Sequence, residues 1–157
     1  GVDLYKYKAV SSEEYKKDQL VNFSSKTKQN KKLKNTEIVF NEKTKKLIIT
    51  GSENQLIAPS QYMVGTWWNH EIVQKKAQIS AISGRIIEQK VTFLGKEKIE
   101  LYGKTYDALR FNFSSSDESL AENKRLNTDV WYDEKTNVWL KAAFDKTGYW
   151  EYRLKTY

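Results

Sequence analysis

The chain has no cysteine and a single histidine. The first absence excludes disulfides, thiol nucleophiles, iron–sulfur clusters and cysteine-ligated zinc; the second excludes a zinc site built from several imidazoles. One proline and seven glycines in 157 residues leave no flexible linker and no glycine-rich phosphate loop. Long apolar runs are missing too. Charged residues make up 30% of the chain and mean hydropathy is −0.75, so no stretch reads as a membrane-spanning helix. What is abundant is aromatic: five Trp, ten Tyr and six Phe, more than a chain without a packed core carries. The length suits one β-rich domain spanning 1–157.

Positive charge is concentrated. The formal net charge is +7, and residues 1–50 hold twelve lysines against six acids, so the other two-thirds of the chain contribute only +1. Lys26, Lys28, Lys31, Lys32 and Lys34 crowd one stretch, which reads either as a solvated, lysine-coated loop or as a site for phosphate, anionic lipid or acidic glycan. None of the four arginines lies in that run, which weighs against nucleic acid, because the guanidinium fork is what reads phosphates and guanines bidentately.

Hydrophobic periodicity is two along most of the chain. Ile38 and Phe40 alternate with polar neighbours, residues 41–45 turn the chain, and residues 47–50 return as the second arm of a hairpin ending at Gly51. Ser83-Gly84 separates residues 78–82 from a long β-prone run at 86–94, where Ile87, Val91 and Phe93 share a face. Residues 106–114 follow with Leu109, Phe111 and Phe113 aligned. Residues 129–133, 138–144 and 149–156 repeat the pattern around turns at 134–137 and 145–148. Helix signals are short: Ser11-Ser12-Glu13-Glu14 resembles a capped first turn, Asn69 caps a segment from His70, and a third candidate spans 117–124. These patterns predict a mainly β fold, a curved antiparallel meander or partly closed barrel with one to three short helices. The expected core comprises Ile87, Val91, Phe93, Leu109, Phe111, Trp131, Leu140 and Trp150.

Two constellations could carry chemistry. Thr66-Trp67-Trp68-Asn69-His70-Glu71 places aromatic faces, suited to sugar rings or apolar ligands, beside a titratable pair. The plainer reading is a plug of packed tryptophan beside a helix-capping histidine. Asp129, Asp133 and Glu134 surround Trp131-Tyr132, but Asp129 and Asp133 fall about 13 Å apart on one strand face, too far for a hydrolytic carboxylate pair. Asp129 with Asp107 or Glu97 offers at most a cation site. No nucleophile elbow accompanies the histidine.

The order of motifs from about Ser60 onward adds a resemblance. Trp67-Trp68-Asn69 comes first, then Ile82-Ser83-Gly84-Arg85-Ile86 and Phe93-Leu94-Gly95-Lys96-Glu97. Gly103-Lys104-Thr105-Tyr106-Asp107 follows and leads into Phe111, and Trp131-Tyr132-Asp133-Glu134 and Gly148-Tyr149-Trp150-Glu151-Tyr152 come last. The order resembles an exported, β-rich bacterial family common in alphaproteobacteria and known as a domain of unknown function. The resemblance implies a β-rich fold and a periplasmic or otherwise exported location, and it carries no catalytic residues to transfer. It also implies either that the chain is truncated ahead of residues 2–7 or that residues 2–7 form a strand left without its original neighbour.

The expected function is a non-catalytic binding module for an apolar or sugar-like ligand, or for an envelope protein, with Tyr62, Trp67, Trp68 and His70 at the site. The alternatives are polyanion binding through Lys26, Lys28, Lys31, Lys32 and Lys34, and a glycan-active enzyme using His70 and Glu71. No cofactor, metal or catalytic residue is expected.

Overall fold

The computed structural model describes residues 7–51, 54–145 and 149–154, the side chains of Tyr7, Asn123, Asp145, Tyr149 and Trp150 excepted. The expected strand at residues 2–7, the 145–148 turn and the burial of Trp150 lie wholly or mainly outside the described residues. Twelve strands are described: β1 (Tyr7–Lys16), β2 (Gln19–Gln29), β3 (Lys32–Asn41), β4 (Lys46–Gly51), β5 (Gln55–Pro59), β6 (Met63–Val64), β7 (Ala77–Ile79), β8 (Ile86–Leu101), β9 (Lys104–Ser115), β10 (Asn127–Asp133), β11 (Trp139–Asp145) and β12 (Tyr149–Arg153). No α-helix occurs among the described residues; His70–Gln74 and Glu122–Lys124 are 3-10 helices. The protein is mainly β, and each strand pair whose register is described is antiparallel.

One sheet is the five-stranded meander β1-β2-β3-β4-β5. The other has the order β12-β11-β10-β9-β8-β7-β6 and curls into a half-barrel. Register breaks between Phe93 and Gly95 in β8, and between Trp131 and Tyr132 in β10, supply local twist and bend. Tight turns set the registers. Lys17 and Asp18 both have positive φ in the two-residue loop joining β1 to β2, and so do Tyr102 and Gly103 between β8 and β9. That backbone matches the right-handed twist of hairpin strands.

The chain forms two compact units, Gly1–Gly65 with Ile79–Ile86, and Thr66–Gln78 with Ile87–Tyr157. The core of the first unit is Leu20, Phe23, Ile38, Leu47, Ile49, Ala58, Val64 and Ile79, flanked by Tyr15, Phe40 and Tyr62. The segment at 79–86 is bound to this unit through backbone carbonyls: the Ser25 hydroxyl donates to Ala81, and the Thr36 hydroxyl donates to Ile82 at 3.0 Å. Gly84, at φ +74°, lies so close that a Cβ there would meet Ile49 Cγ2 at 2.9 Å.

The second unit buries Ile99, Leu101, Ala108, Trp131, Leu140 and Ala143 on one side of its sheet, and Phe113, Val130 and Tyr132 on the other. A buried amide network ties the 3-10 helix to the strands. Gln78 donates to Gln89 at 2.5 Å, and Gln89 donates to the Ile72 and Lys75 carbonyls at 3.2 and 2.9 Å.

Several expectations need correction. Ser11–Glu14 is strand, not helix: it lies in β1 and pairs with β2 through Ser12–Ser24 and Glu14–Asn22. The third helix candidate shrinks to Glu122–Lys124, preceded by a turn in which Asp117 accepts from Ser119 N–H at 2.9 Å. The lysine run is a hairpin rather than a loop, since Lys26 and Lys28 lie in β2 and Lys32 and Lys34 in β3. In the expected core, Trp131 and Leu140 are buried. Ile87, Val91, Leu109 and Phe111 are half-buried, and Phe93 is 54% exposed. The physical reason is two-sidedness: both faces of the second sheet carry apolar residues, and β8 extends past the region its face covers, so period two does not name the buried side.

Candidate functional site

The lysine end is built by strand alternation. In β2, buried Phe23, Ser25 and Thr27 alternate with exposed Ser24, Lys26 and Lys28; in β3, buried Thr36 and Ile38 alternate with exposed Leu33, Asn35, Glu37 and Val39. Residues directly opposite in register point to the same side of a sheet. Lys28 stands opposite both Lys8 and Leu33, and Lys26 opposite both Val10 and Asn35. The solvent face at this end is therefore Lys8, Val10, Lys26, Lys28, Leu33 and Asn35. Lys32 and Lys34 point to the other side, and Lys31 occupies the two-residue loop after Asn30 (φ +54°).

The five lysines thus share one strand end but divide between its faces. Residues 19–36 contain no Asp or Glu. None of Lys8, Lys26, Lys28, Lys31, Lys32 and Lys34 forms an ion pair with another described residue. Gly51, the last residue of β4, pairs with Thr36, so β1, β2 and β3 extend beyond β4 by the length of the lysine-bearing segment. Six lysines therefore sit on this overhang, and none of them is paired with an acid among the described residues.

The aromatic segment has a different character. Trp67 stacks on Trp139 with ring centroids 6.3 Å apart and 21° between planes, and it meets Tyr152 at 5.8 Å and Phe144 at 6.5 Å. Its backbone carbonyl accepts a hydrogen bond from the Tyr132 hydroxyl at 2.7 Å. Trp68, the next residue, is 54% exposed. Asn69 caps the 3-10 helix, its side chain accepting from Glu71 N–H at 3.1 Å, as its position before His70 predicts. His70 packs edge-on against Tyr132 at 4.8 Å and Phe111 at 6.1 Å, and its buried Nε2 has no hydrogen-bond partner among the described residues. Burial pulls the His70 pKa below its ordinary value, with neighbouring Glu71 opposing the shift, and the same low-dielectric packing raises that of Tyr132. Glu71 is exposed. Tyr62 belongs to the first unit and packs against that unit's core.

The carboxylates flagged around Trp131 are engaged by cations and amides. Asp129 accepts from Arg110 and, at 2.8 Å, from Asn112; Glu97 accepts from the Trp131 indole N–H and lies 3.7 Å from Arg110. Asp107 sits 4.0 Å from Lys98, and Glu134 pairs with Lys96. Asp133 opens a turn, its Oδ1 accepting from Lys135 and Thr136 N–H at 2.8 and 3.0 Å. Among the described residues no group of three or more ligating side chains could hold a metal ion.

Sequence reading missed the centre of this network. Arg110 and Lys141 both lie over the Trp131 ring, at 4.8 and 4.0 Å from its centroid, and Lys141 reaches Glu151 at 3.4 Å. Burial pushes the Glu151 carboxyl up, but Arg153 and Lys141 outweigh it and hold the group below its usual range. Alternating cations on β9, β11 and β12, at Arg110, Lys141 and Arg153, are the signal that could have revealed a charged face opposite the apolar one.

Neither the curated proteins nor the solved structures compared with the chain match it. The family described as Domain of unknown function (DUF6134) matches residues 1–155, taking in the N-terminal meander as well as the motif-bearing remainder. The chain belongs to that family.

Proposed function

We propose that this protein is a non-catalytic binding module that holds an extended anionic partner against the lysine end of β1, β2 and β3. One observation carries the reading: six lysines on an overhanging strand end, with no acid in residues 19–36 and no ion pair to another described residue. Unneutralised cations gathered in one place raise the local concentration of anions and speed their encounter. The test is affinity for heparin measured across salt concentrations. Binding that falls steeply with salt, and that weakens when Lys26, Lys28 and Lys32 are replaced by Gln, supports the reading. Salt-independent binding, or equal binding by the triple variant, overturns it.

A second reading is an apolar or sugar-like ligand held against Trp68, which is 54% exposed and directly follows the packed Trp67 in sequence. Aromatic faces stack on sugar rings with little dependence on salt. Oligosaccharide titration followed by tryptophan fluorescence, lost in Trp68→Ala, tests it. An exported location is part of the proposal, supported by the motif resemblance alone; fractionation of the native host into periplasm and cytoplasm decides it.

A further inference from the structure

We propose that the anionic partner is a bilayer surface, onto which the solvent face of the β2–β3 hairpin docks with Leu33 and Val10 entering the headgroup region; this rests on the anion-binding reading above. Leu33 is 70% exposed and Val10 64% exposed. Both lie on the face that carries Lys8, Lys26 and Lys28, Leu33 directly opposite Lys28 and Val10 directly opposite Lys26. A soluble polyanion satisfies the lysines but gains nothing from two isolated aliphatic side chains between them. An anionic lipid surface uses both, since ammonium groups pair with headgroups while the aliphatic groups reach the acyl boundary.

The chemistry of the cations points the same way. All are lysines, point charges on flexible stems suited to a diffuse field rather than to bidentate recognition. Among the described residues this part of the face has no aromatic side chain on which a base could stack: its members are Lys8, Val10, Lys26, Lys28, Leu33 and Asn35. Glu14 and Glu37 share the face only farther from the strand end, Glu37 opposite Ser24 and Glu14 opposite Asn22, so the contact is end-on. Exposed Val39 and Ile57 continue the aliphatic character along the same side, in register through Ile48.

The test is co-sedimentation of the full chain with phosphatidylcholine vesicles, with and without phosphatidylglycerol, beside heparin affinity. Binding is expected only to the anionic vesicles. Each lysine-to-glutamine change at Lys26 or Lys28 should reduce it about five-fold. The paired change Leu33→Ser and Val10→Ser should reduce vesicle binding about ten-fold and leave heparin affinity unchanged. These side chains are exposed, and an unchanged circular dichroism spectrum shows the variant folded. Heparin binding without vesicle binding overturns this inference and leaves the anion-binding reading standing; binding to neither overturns both. Vesicle binding unaffected by the serine pair also overturns it, as does a concentration-dependent dimer that the serine pair dissolves, because a second copy then covers the face.

Discussion

The Tyr132 hydroxyl donates a 2.7 Å hydrogen bond to the backbone carbonyl of Trp67, joining positions 65 apart in sequence. The bond fixes the entry of the aromatic segment onto the second sheet, because Tyr132 is fully buried and Trp67 stacks on Trp139 just beyond it. Tyr132→Phe keeps the ring and removes the donor. The variant should lose about 1–2 kcal/mol in urea unfolding, since the carbonyl loses its partner while packing is conserved. A change within error would mean that water replaces the hydroxyl at no cost.

His70 supplies a pH test. Burial lowers its pKa from 6.5, so the folded state binds fewer protons than the unfolded chain at acid pH. The contribution of this group is complete above about pH 6.5 and is lost as the pH falls from there through the lowered folded-state pKa. Carboxylates titrate in the same direction, and the readout is therefore a difference. Between about pH 7.5 and about pH 5.5, the urea midpoint of the wild type should fall farther than that of His70→Phe. Parallel curves would show that His70 is reached by solvent in both states.

Gly51 is held by a close approach rather than by its φ. A Cβ at this position would lie 2.4 Å from the Ser83 carbonyl oxygen, a backbone atom that cannot swing aside. Gly51→Ala should destabilise the first unit by about 1–3 kcal/mol through the forced shift of residues 79–86. Thermal unfolding of the variant checks it, and an unchanged midpoint would show that the segment yields freely.

The C-terminal strands were legible because apolar and polar residues alternate there between short turns, and the turns at Asn41, Asp133 and Gly103 formed where their side chains or φ values predict. The hairpin of β3 and β4 was legible for the same reason, but β1 and β2 were not. In β2 the buried positions after Phe23 are Ser25 and Thr27, polar side chains that erase the hydrophobic period, and β1 is an exposed edge with little to bury. The anion-binding candidates were visible as lysines in sequence, but their division between two faces follows from register alone. Around Trp131 the obstacle was charge pairing across strands: nothing local says that Arg110 and Lys141 meet over one indole.

Two phenylalanines on one sheet face separate burial from mere alternation. Val91 stands opposite Phe113 and Phe93 opposite Phe111, which places Phe93 and Phe113 on the same side. Their surroundings differ: Phe113 is fully buried, whereas Phe93 is more than half exposed and meets Phe111 at 5.2 Å. Removing a buried ring forfeits its transfer free energy and leaves a cavity, so Phe113→Ala should cost about 3–5 kcal/mol. Phe93→Ala removes atoms already in water and loses one aromatic contact, which limits its cost to about 1 kcal/mol. Urea unfolding of both variants, monitored by circular dichroism, gives the comparison. Equal losses would mean that Phe93 is covered in solution, and the face of β8 ahead of its bulge would then have to be reassigned as core.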